Sequence, residues 1–399
     1  MMPLVDARLL PYWRRPLFLL FLMAVAMPLS FATWSALLNN FVIEAAAFDG
    51  VDIGWLHTVR EIPGFLAVGV IVLLLWVREQ VLAVAMLVVL GVATAVVAWF
   101  PTFGGLLATT MIASVGFHYF ETVFQSLQLQ WLELEEAPEA IGWIVAVGSG
   151  ASLGAYGLIV LTWETFGLSY NSVYLAAGGL TVLIALYCLV AFPQIRSPTR
   201  QRPQFILRRR YWLYYMLQFM SGARRQIFVV FAAFMMVEKF GFEVHEVTAL
   251  FLINYLINMV AAPFMGKAIA RFGERAALAV EYLGLTAVFL AYGGIYNFGW
   301  GAALAAALYV LDHLFFALAF ALKTYFQKIA DPADIAPTAA VSFTINHIAA
   351  VFLPALLGYA WIVSPSSVFT AAAAMAIVSL ILALLVPRHP KPGRETILS

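Results

Sequence analysis

Four polar side chains recur at helical spacing inside one apolar segment, GFHYFETVFQSLQLQW at residues 116–131. His118, Glu121, Gln125 and Gln128 follow one another by three, four and three residues, so they lie on one face of a predicted helix. Lipid cannot satisfy such groups, and the stripe is therefore expected to face protein or water. It could form an interhelical hydrogen-bond seam, or it could line a hydrated path that binds a solute and carries a proton.

A second segment places two adjacent arginines, Arg224 and Arg225, inside an apolar run. A guanidinium in a medium of low dielectric attracts carboxylates and phosphates and offers them a bidentate fork. Adjacent residues on a helix point about 100° apart, so only one of the two arginines can face a water-filled cavity squarely. Arg225 shares its face with Gln218, and we therefore expect Arg225 to be the one that faces the cavity. These features favour an anionic or zwitterionic ligand. The alternative is an internal salt bridge of either arginine with Glu121 or Asp312.

The candidate functional residues fall into three predicted roles. The predicted solute-binding residues are Arg225, Arg224, His118, Gln125, Asp312 and Asn346. The predicted proton carriers are Glu121, Asp312, His313 and His347. Burial and nearby charge shift the pKa of a carboxyl group, and an imidazole titrates near neutrality. The predicted gating or interface residues are Arg60, Glu61, Arg271, Arg275 and Lys323.

The composition identifies the elements that must position these side chains. Of the 399 residues, 64% are hydrophobic and 11% are charged, whereas soluble domains carry roughly 25% charged residues. A membrane-spanning helix needs about 20 mostly apolar residues. Twelve such stretches are predicted, at 17–43, 53–77, 81–99, 105–132, 141–163, 171–195, 211–237, 246–265, 276–295, 300–325, 337–362 and 368–387.

The basic residues predict the orientation of these twelve spans. With a cytoplasmic N-terminus, 17 of the 22 Lys and Arg residues fall in cytoplasmic segments and only Lys239 falls on the other side. This asymmetry follows the positive-inside rule and places both termini in the cytoplasm, as expected for a bacterial-type inner membrane protein. A net charge of +1 argues against nucleic acid as a partner, and the single Cys188 excludes an intrachain disulfide or a cysteine-based zinc site.

The chain divides into two similar halves. The polar and basic segment RSPTRQRPQFILRRR, residues 196–210, is predicted to link a six-helix bundle at 1–195 to a second one at 211–399, which includes a short cytoplasmic tail. A shift of 194 residues brings Arg14-Arg15 onto Arg208-Arg209 and the PEAI motif at 138–141 onto the PADI motif at 332–335. The same shift aligns His118 with Asp312.

In this topology the sequence resembles the major facilitator superfamily. The loop after the eighth span, GKAIARFGER at residues 266–275, is similar to the family's loop signature, although Ala270 occupies the acidic position. The counterpart loop after the second span, VREQ, retains only Arg78, which indicates an atypical branch. The resemblance implies an all-α fold of two pseudo-symmetric six-helix bundles. It also implies a central cavity lined by the first, fourth, seventh and tenth helices.

These features predict a monomeric secondary active transporter that moves a small organic solute across the lipid bilayer by alternating access, coupled to protons. No nucleophile–base spacing and no glycine-rich phosphate-binding signature stands out, so we expect neither an enzyme nor a cofactor. One alternative is an exporter of amphipathic compounds or a lipid flippase. Another is a divalent metal transporter that would use His118, Glu121, Asp312 and His313.

Overall fold

The computed structural model describes residues 4–5, 10–67, 69–74, 76–132, 137–195, 207–331 and 335–398. Two predictions fall partly outside these ranges, the linker over 196–206 and the repeat anchor at Pro332. In the described ranges the chain folds almost entirely into α-helices. Before the linker the helices are α1 Pro16–Ala46, α2 Gly50–Phe65, α3 Gly69–Leu73, α4 Glu79–Val96, α5 Phe103–Trp131, α6 Ala137–Thr162 and α7 Tyr170–Ala191.

The helices after the linker cover the remaining predicted spans. They are α8 Trp212–Ile227, α9 Ala233–Phe240, α10 Val244–Phe272, α11 Glu274–Phe298, α12 Ala302–Phe316, α13 Phe320–Ile329, α14 Ile335–Val363 and α15 Pro365–Leu384. A π-helix, Phe228–Ala232, connects α8 to α9, and a 3₁₀ turn, Ala317–Ala319, connects α12 to α13. Two short strands, β1 Leu4–Val5 and β2 Gln194–Ile195, pair in parallel.

Within the described ranges, ten helices or runs of helices are long and apolar enough to cross a membrane. The other two predicted spans, 53–77 and 246–265, coincide with α2–α3 and with α10. The apolar part described for α10 is shorter and runs over Val244–Ile257. The sequence therefore positions helices at all twelve predicted spans.

Local sequence signals explain where several helices begin and end. Pro16 opens α1, where its fixed φ suits the first helical turn. The Thr102 side chain accepts a hydrogen bond from the backbone of Gly105 and caps α5. At the other ends, Gly241 and Gly299 adopt left-handed conformations (φ 68° and 69°) that stop α9 and α11.

The chain forms two compact units that do not follow the order of the sequence strictly. The first unit comprises Met1–Ala47, Val59–Arg202 and Val244–Ala249. The second unit comprises Phe48–Thr58, Pro203–Glu243 and Leu250–Ser399. The first half of α2 thus belongs to the second unit, where it packs on α14. The division between units inside the linker lies at Arg202–Pro203, outside the described residues.

Both units use the same packing plan. In the first unit α1 packs against α6 and α7, and α4 packs against α5 and α7. In the second unit α8 packs against α14 and α15, and α11 packs against α12 and α15. Each helix of one list corresponds in chain order to a helix of the other, which is the arrangement that a repeat of six helices predicts.

Candidate functional site

A buried group of charged side chains lies in the second unit, between α8, α11 and α12. Arg224 on α8 is 1% exposed, Glu281 on α11 is 0% exposed and Asp312 on α12 is 2% exposed. Nη2 of Arg224 lies 3.5 Å from Oε1 of Glu281. The Arg224 guanidinium also stacks on the ring of Tyr282, with Cζ 4.4 Å from the ring centroid. A cation–π contact of this kind is strongest when it is desolvated, as here.

Arg224 and Asp312 both open onto one cavity of about 100 Å³ within the second unit. The cavity is lined by Arg224, Arg225, Phe228, Val229, Leu285, Phe289, Asp312, His313 and Phe316. Three charged side chains and one imidazole therefore share a space whose other walls are apolar. This combination of apolar walls with a few convergent polar groups is typical of a small-molecule site.

The backbone conformation of α8 contributes to this arrangement. The π-helix begins directly after α8, and the Phe228 amide reaches the carbonyl oxygens of both Arg224 and Arg225. A π-helical turn accommodates one extra residue, and such turns occur frequently at functional sites. Here it places Phe228 and Val229 in the wall of the cavity, one turn beyond the two arginines.

Arg225, which the sequence favours for the cavity, is half-buried and reaches α14. Its Nη2 lies 3.5 Å from Oδ1 of Asn346, and Nδ2 of Asn346 donates to the carbonyl oxygen of Gln218 at 3.3 Å. The helices approach closely because residue 222 is glycine. A Cβ on Gly222 would lie 2.5 Å from the Asn346 carbonyl oxygen. The structure thus brings Arg224, Arg225, Asn346, Asp312 and His313 of the predicted site into the second unit.

The first unit holds a separate polar network around His118. Nδ1 of His118 lies 2.9 Å from the Ser114 hydroxyl, which also bonds the carbonyl oxygen of Arg60. Arg60 forms an ion pair with its neighbour Glu61, with Nε 3.0 Å from Oε1, and its guanidinium lies 5.7 Å from the Trp34 ring. Both predicted gating residues on α2 are therefore engaged with each other.

The other predicted site residues lie on several further helices. On α5, Glu121 is half-buried and Gln125 is exposed, whereas His347 is buried on α14. Lys323 on α13 and Arg271 at the end of α10 are exposed, and Arg275 is half-buried. The ion pair described in this part of the second unit is a different one, between Lys328 and the buried Glu274 at 2.6 Å.

Glu281, a carboxyl group inside the predicted span 276–295, pairs with Arg224 in the buried cluster. One sequence-based inference needs correction. The 194-residue shift was expected to place His118 and Asp312 at equal depth. However, α5 begins at Phe103 and α12 at Ala302, so Asp312 lies more than one turn nearer to the start of its helix.

Sequence reasoning missed the partnership of Arg224 with Glu281 and Tyr282. The available signal was that a buried guanidinium requires a counter-charge, and that Glu281 is an acidic residue inside a predicted span. Nothing in the linear sequence specifies which face of the ninth span contacts the seventh. The pairing therefore becomes visible only once α8 and α11 are folded together.

Comparison with solved structures identifies the fold. The chain matches a point mutant of the nucleoside transporter NupG with a TM-score of 0.75 and 15% sequence identity, over 92% of this chain and 99% of that one. It also matches a bacterial homolog of the human lysosomal transporter Spinster, in an inward-facing and occupied conformation. That match has a TM-score of 0.65 and 15% identity, over 92% of this chain and 95% of that one.

No family model and no curated protein sequence matches the chain. The structural matches confirm the predicted fold, a two-bundle helical membrane fold of the major facilitator type. With its ten long apolar helices, the chain is a multi-pass integral membrane protein.

Proposed function

We propose that the protein is a secondary active transporter that moves a small organic anionic or zwitterionic solute across a membrane by alternating access, coupled to protons. The observation that carries this proposal is the charged cavity of the second unit, where Arg224, Arg225, Asp312 and His313 converge between apolar walls. Charged residues at membrane depth are costly and usually mark a substrate or ion pathway. Solved transporters of the same fold support transport over catalysis.

The anionic or zwitterionic character of the solute follows from the two arginines. Arg225 lines the cavity, and its guanidinium can bind a carboxylate or phosphate of the solute in a bidentate manner. Asp312, which lines the same cavity, can receive an ammonium group or a proton. We assign solute binding to Arg225, Arg224, Asp312 and Asn346 of the second unit, and the roles of His118 and Gln125 stay predictions.

Proton coupling requires an ionisable group that changes its charge during the transport cycle. Asp312 and His313 are candidates in the second unit because both line the cavity, and Glu121 is the candidate in the first. His347 is buried on α14. The Arg60–Glu61 ion pair in the first unit is suited to a gating role, because the two side chains would move apart if either of them paired with another residue.

The same observations rank the competing functions. A divalent metal transporter would need Asp312 and His313 as ligands, and the two arginines in the same cavity would repel the cation. A lipid flippase or an exporter of amphipathic compounds would not need Arg225.

For the cellular setting, we propose a monomer in a bacterial-type inner membrane with both termini in the cytoplasm. The pairing of β1 with β2 supports one part of this proposal. Leu4–Val5 lies beside Gln194–Ile195, so the N-terminus and the end of α7 are on one side of the first unit. In the second unit the tail returns to α13, where the Tyr325 hydroxyl donates to the Glu395 carbonyl oxygen at 2.6 Å.

The test is to find the solute and then to measure its transport. Purified protein is screened against metabolites by thermal unfolding, because a ligand that binds only the folded state raises its apparent stability. The ligand that raises the unfolding temperature is then added to proteoliposomes with and without an inward proton gradient. We expect accumulation that an uncoupler abolishes. Accumulation that is indifferent to the gradient would contradict proton coupling.

Two variants connect this activity to the site. Arg225→Ala and Glu121→Gln are expected to abolish gradient-driven uptake while folded protein remains in the membrane. Arg388→Ala, which removes an exposed arginine after α15, is the matched control and should transport like the wild type. Wild-type uptake by both site variants would remove Arg225 and Glu121 from the mechanism.

A further inference from the structure

The buried charges around Arg224 are paired but not hydrogen-bonded. Among the described residues, Nε, Nη1 and Nη2 of Arg224 have no hydrogen-bond partner, and neither have the two carboxyl oxygens of Glu281 or Oδ1 of Asp312. The 3.5 Å between Arg224 and Glu281 brings the charges together without an aligned hydrogen bond. Arg224 therefore retains its bidentate fork for another acceptor.

An acceptor can approach Arg224 through the cavity. Arg224 lines the cavity, whereas Glu281 on α11 is not among the lining residues and is fully buried. The volume of about 100 Å³ is suited to a single small group and not to a whole metabolite. An Arg–carboxylate pair is the planar, bidentate interaction that a guanidinium makes best. A carboxylate end of the solute is thus the group that fits between Arg224 and the apolar wall.

The charges of the surrounding groups decide what must accompany that carboxylate. Arg224 and Arg225 on α8 balance Glu281 on α11 and Asp312 on α12, so the formal charge of these four groups is zero. The other titratable groups on the packed helices are Tyr214 and Tyr215 on α8, Glu274, Arg275, Tyr282, Tyr292 and Tyr296 on α11, Tyr309 and His313 on α12, and His347 and Tyr359 on α14. No titratable side chain occurs on α15.

A bound carboxylate would add one negative charge to this neutral set and would draw Arg224 away from Glu281. Glu281 would then be an ionised carboxylate, fully buried and without its counter-charge, which is a strongly unfavourable state. Uptake of one proton by Glu281 removes that charge and restores the balance. In this exchange the Arg224–Glu281 ion pair is broken, an Arg224–carboxylate pair forms, and Glu281 binds one proton from solution.

We propose that Glu281 and a carboxylate group of the solute compete for Arg224, so that Glu281 takes up one proton each time a carboxylate binds. This inference rests on the proposed transport function and deepens it. It adds Glu281 to the candidate proton carriers named above, and it defines the solute as a carboxylate that enters with one proton.

The experiment uses acetate as the probe on the purified full-length protein in detergent. In a weakly buffered solution with a pH indicator, acetate should cause the uptake of about one proton per bound anion. Acetamide, which has the same shape without the charge, should cause none. With one proton taken up per anion, the apparent affinity for acetate should rise about tenfold for each unit by which the pH falls, at pH values where acetate itself stays ionised.

Variants identify the group that receives the proton. Glu281→Gln should retain stabilisation by acetate but lose the proton uptake and the pH dependence. Glu274→Gln is the matched control, because Glu274 is a buried and ion-paired carboxyl on the same helix, outside the cavity lining. This variant should take up the proton as the wild type does.

Several outcomes would overturn the proposal. These are acetate binding without proton uptake in the wild type, proton uptake that persists in Glu281→Gln, or no effect of acetate at any pH. The wild-type measurements suffice if Glu281→Gln fails to fold. Gradient-driven transport of a neutral solute would also refute this inference, while the proposed transport function would stand.

Discussion

At the scale of single residues, the arginine on α8 illustrates how a membrane protein holds a charge. Arg224 is surrounded by Glu281 at 3.5 Å and by the ring of Tyr282 at 4.4 Å. Neither contact is a strong hydrogen bond, so the guanidinium depends on charge balance more than on geometry. Removal of one partner should therefore cost more than removal of both, because a lone buried charge is the most unfavourable arrangement.

A double-mutant cycle tests this dependence. Arg224→Met and Glu281→Leu are each expected to reduce the free energy of unfolding by about 3–5 kcal/mol, since each leaves an uncompensated charge in the interior. The double variant should lose less than the sum of the two losses, because it replaces the pair with apolar groups. Unfolding in detergent, followed by circular dichroism, gives the three values. Strictly additive losses would show that the two side chains do not interact.

The extent to which the sequence predicted this site depends on the kind of contact. The two arginines and Asp312 were identifiable because they interrupt apolar segments, and the cavity does contain them. The sequence showed Glu281 as a charged residue inside an apolar segment, but it did not identify Glu281 as the partner of Arg224. An interhelical contact depends on which faces meet, and helical periodicity alone leaves that undetermined for a helix that is apolar all round.

At the scale of the helices, glycines set how closely the elements approach. On α7, a Cβ at Gly178 would lie 2.3 Å from the carbonyl oxygen of Gly91 and 2.4 Å from the Ala95 amide on α4. The backbones of α4 and α7 therefore pack directly against each other. Small residues at such crossings are characteristic of helix association in membranes. The sequence predicted both helices from their composition but not this crossing, since glycine is common in membrane spans.

Neighbouring glycines on α7 provide a matched test of this packing. Gly178→Ala should lower the free energy of unfolding by about 1–3 kcal/mol, because the added methyl group forces two backbones apart. At Gly179 no atom lies within 4 Å of the new Cβ. Gly179→Ala should therefore leave stability unchanged or raise it by up to about 1 kcal/mol through its helix propensity. Thermal unfolding of the two purified variants makes the comparison, and equal melting temperatures would contradict it.

At the scale of the whole molecule, the two units repeat one packing plan although their sequences have diverged. The linear repeat was detectable at two anchors only. Its fixed 194-residue shift fails at the fourth and tenth spans because α11, Glu274–Phe298, is longer than the corresponding segment Glu79–Trp99. The helices were predictable because hydrophobic length is a global property of a segment. The orientation stays a prediction from the distribution of basic residues. The relative position of two corresponding residues along their helices, such as His118 and Asp312, is a local property that the insertion of a single residue changes.

Fusions to reporter proteins test the proposed orientation. A fluorescent protein fused after Ser399 should fluoresce, because such proteins mature in the cytoplasm and the basic residues predict a cytoplasmic C-terminus. Alkaline phosphatase joined after Gly167, in the loop between α6 and α7, should be active because that loop is predicted to lie outside. A silent fluorescent protein together with an inactive phosphatase would show that the orientation is opposite to the proposed one.

The packing of the first half of α2 determines what happens when the chain is cut. A break in the linker would leave Phe48–Thr58 on one fragment, while Pro354 and Gly358, which it packs against, would remain on the other. A Cβ on Gly54 would lie 2.3 Å from the Pro354 carbonyl oxygen, so this contact is intimate. The C-terminal fragment alone would therefore present a bare groove on α14. When the two fragments are co-expressed, they should associate into a complex that stays soluble in detergent. The C-terminal fragment alone should aggregate.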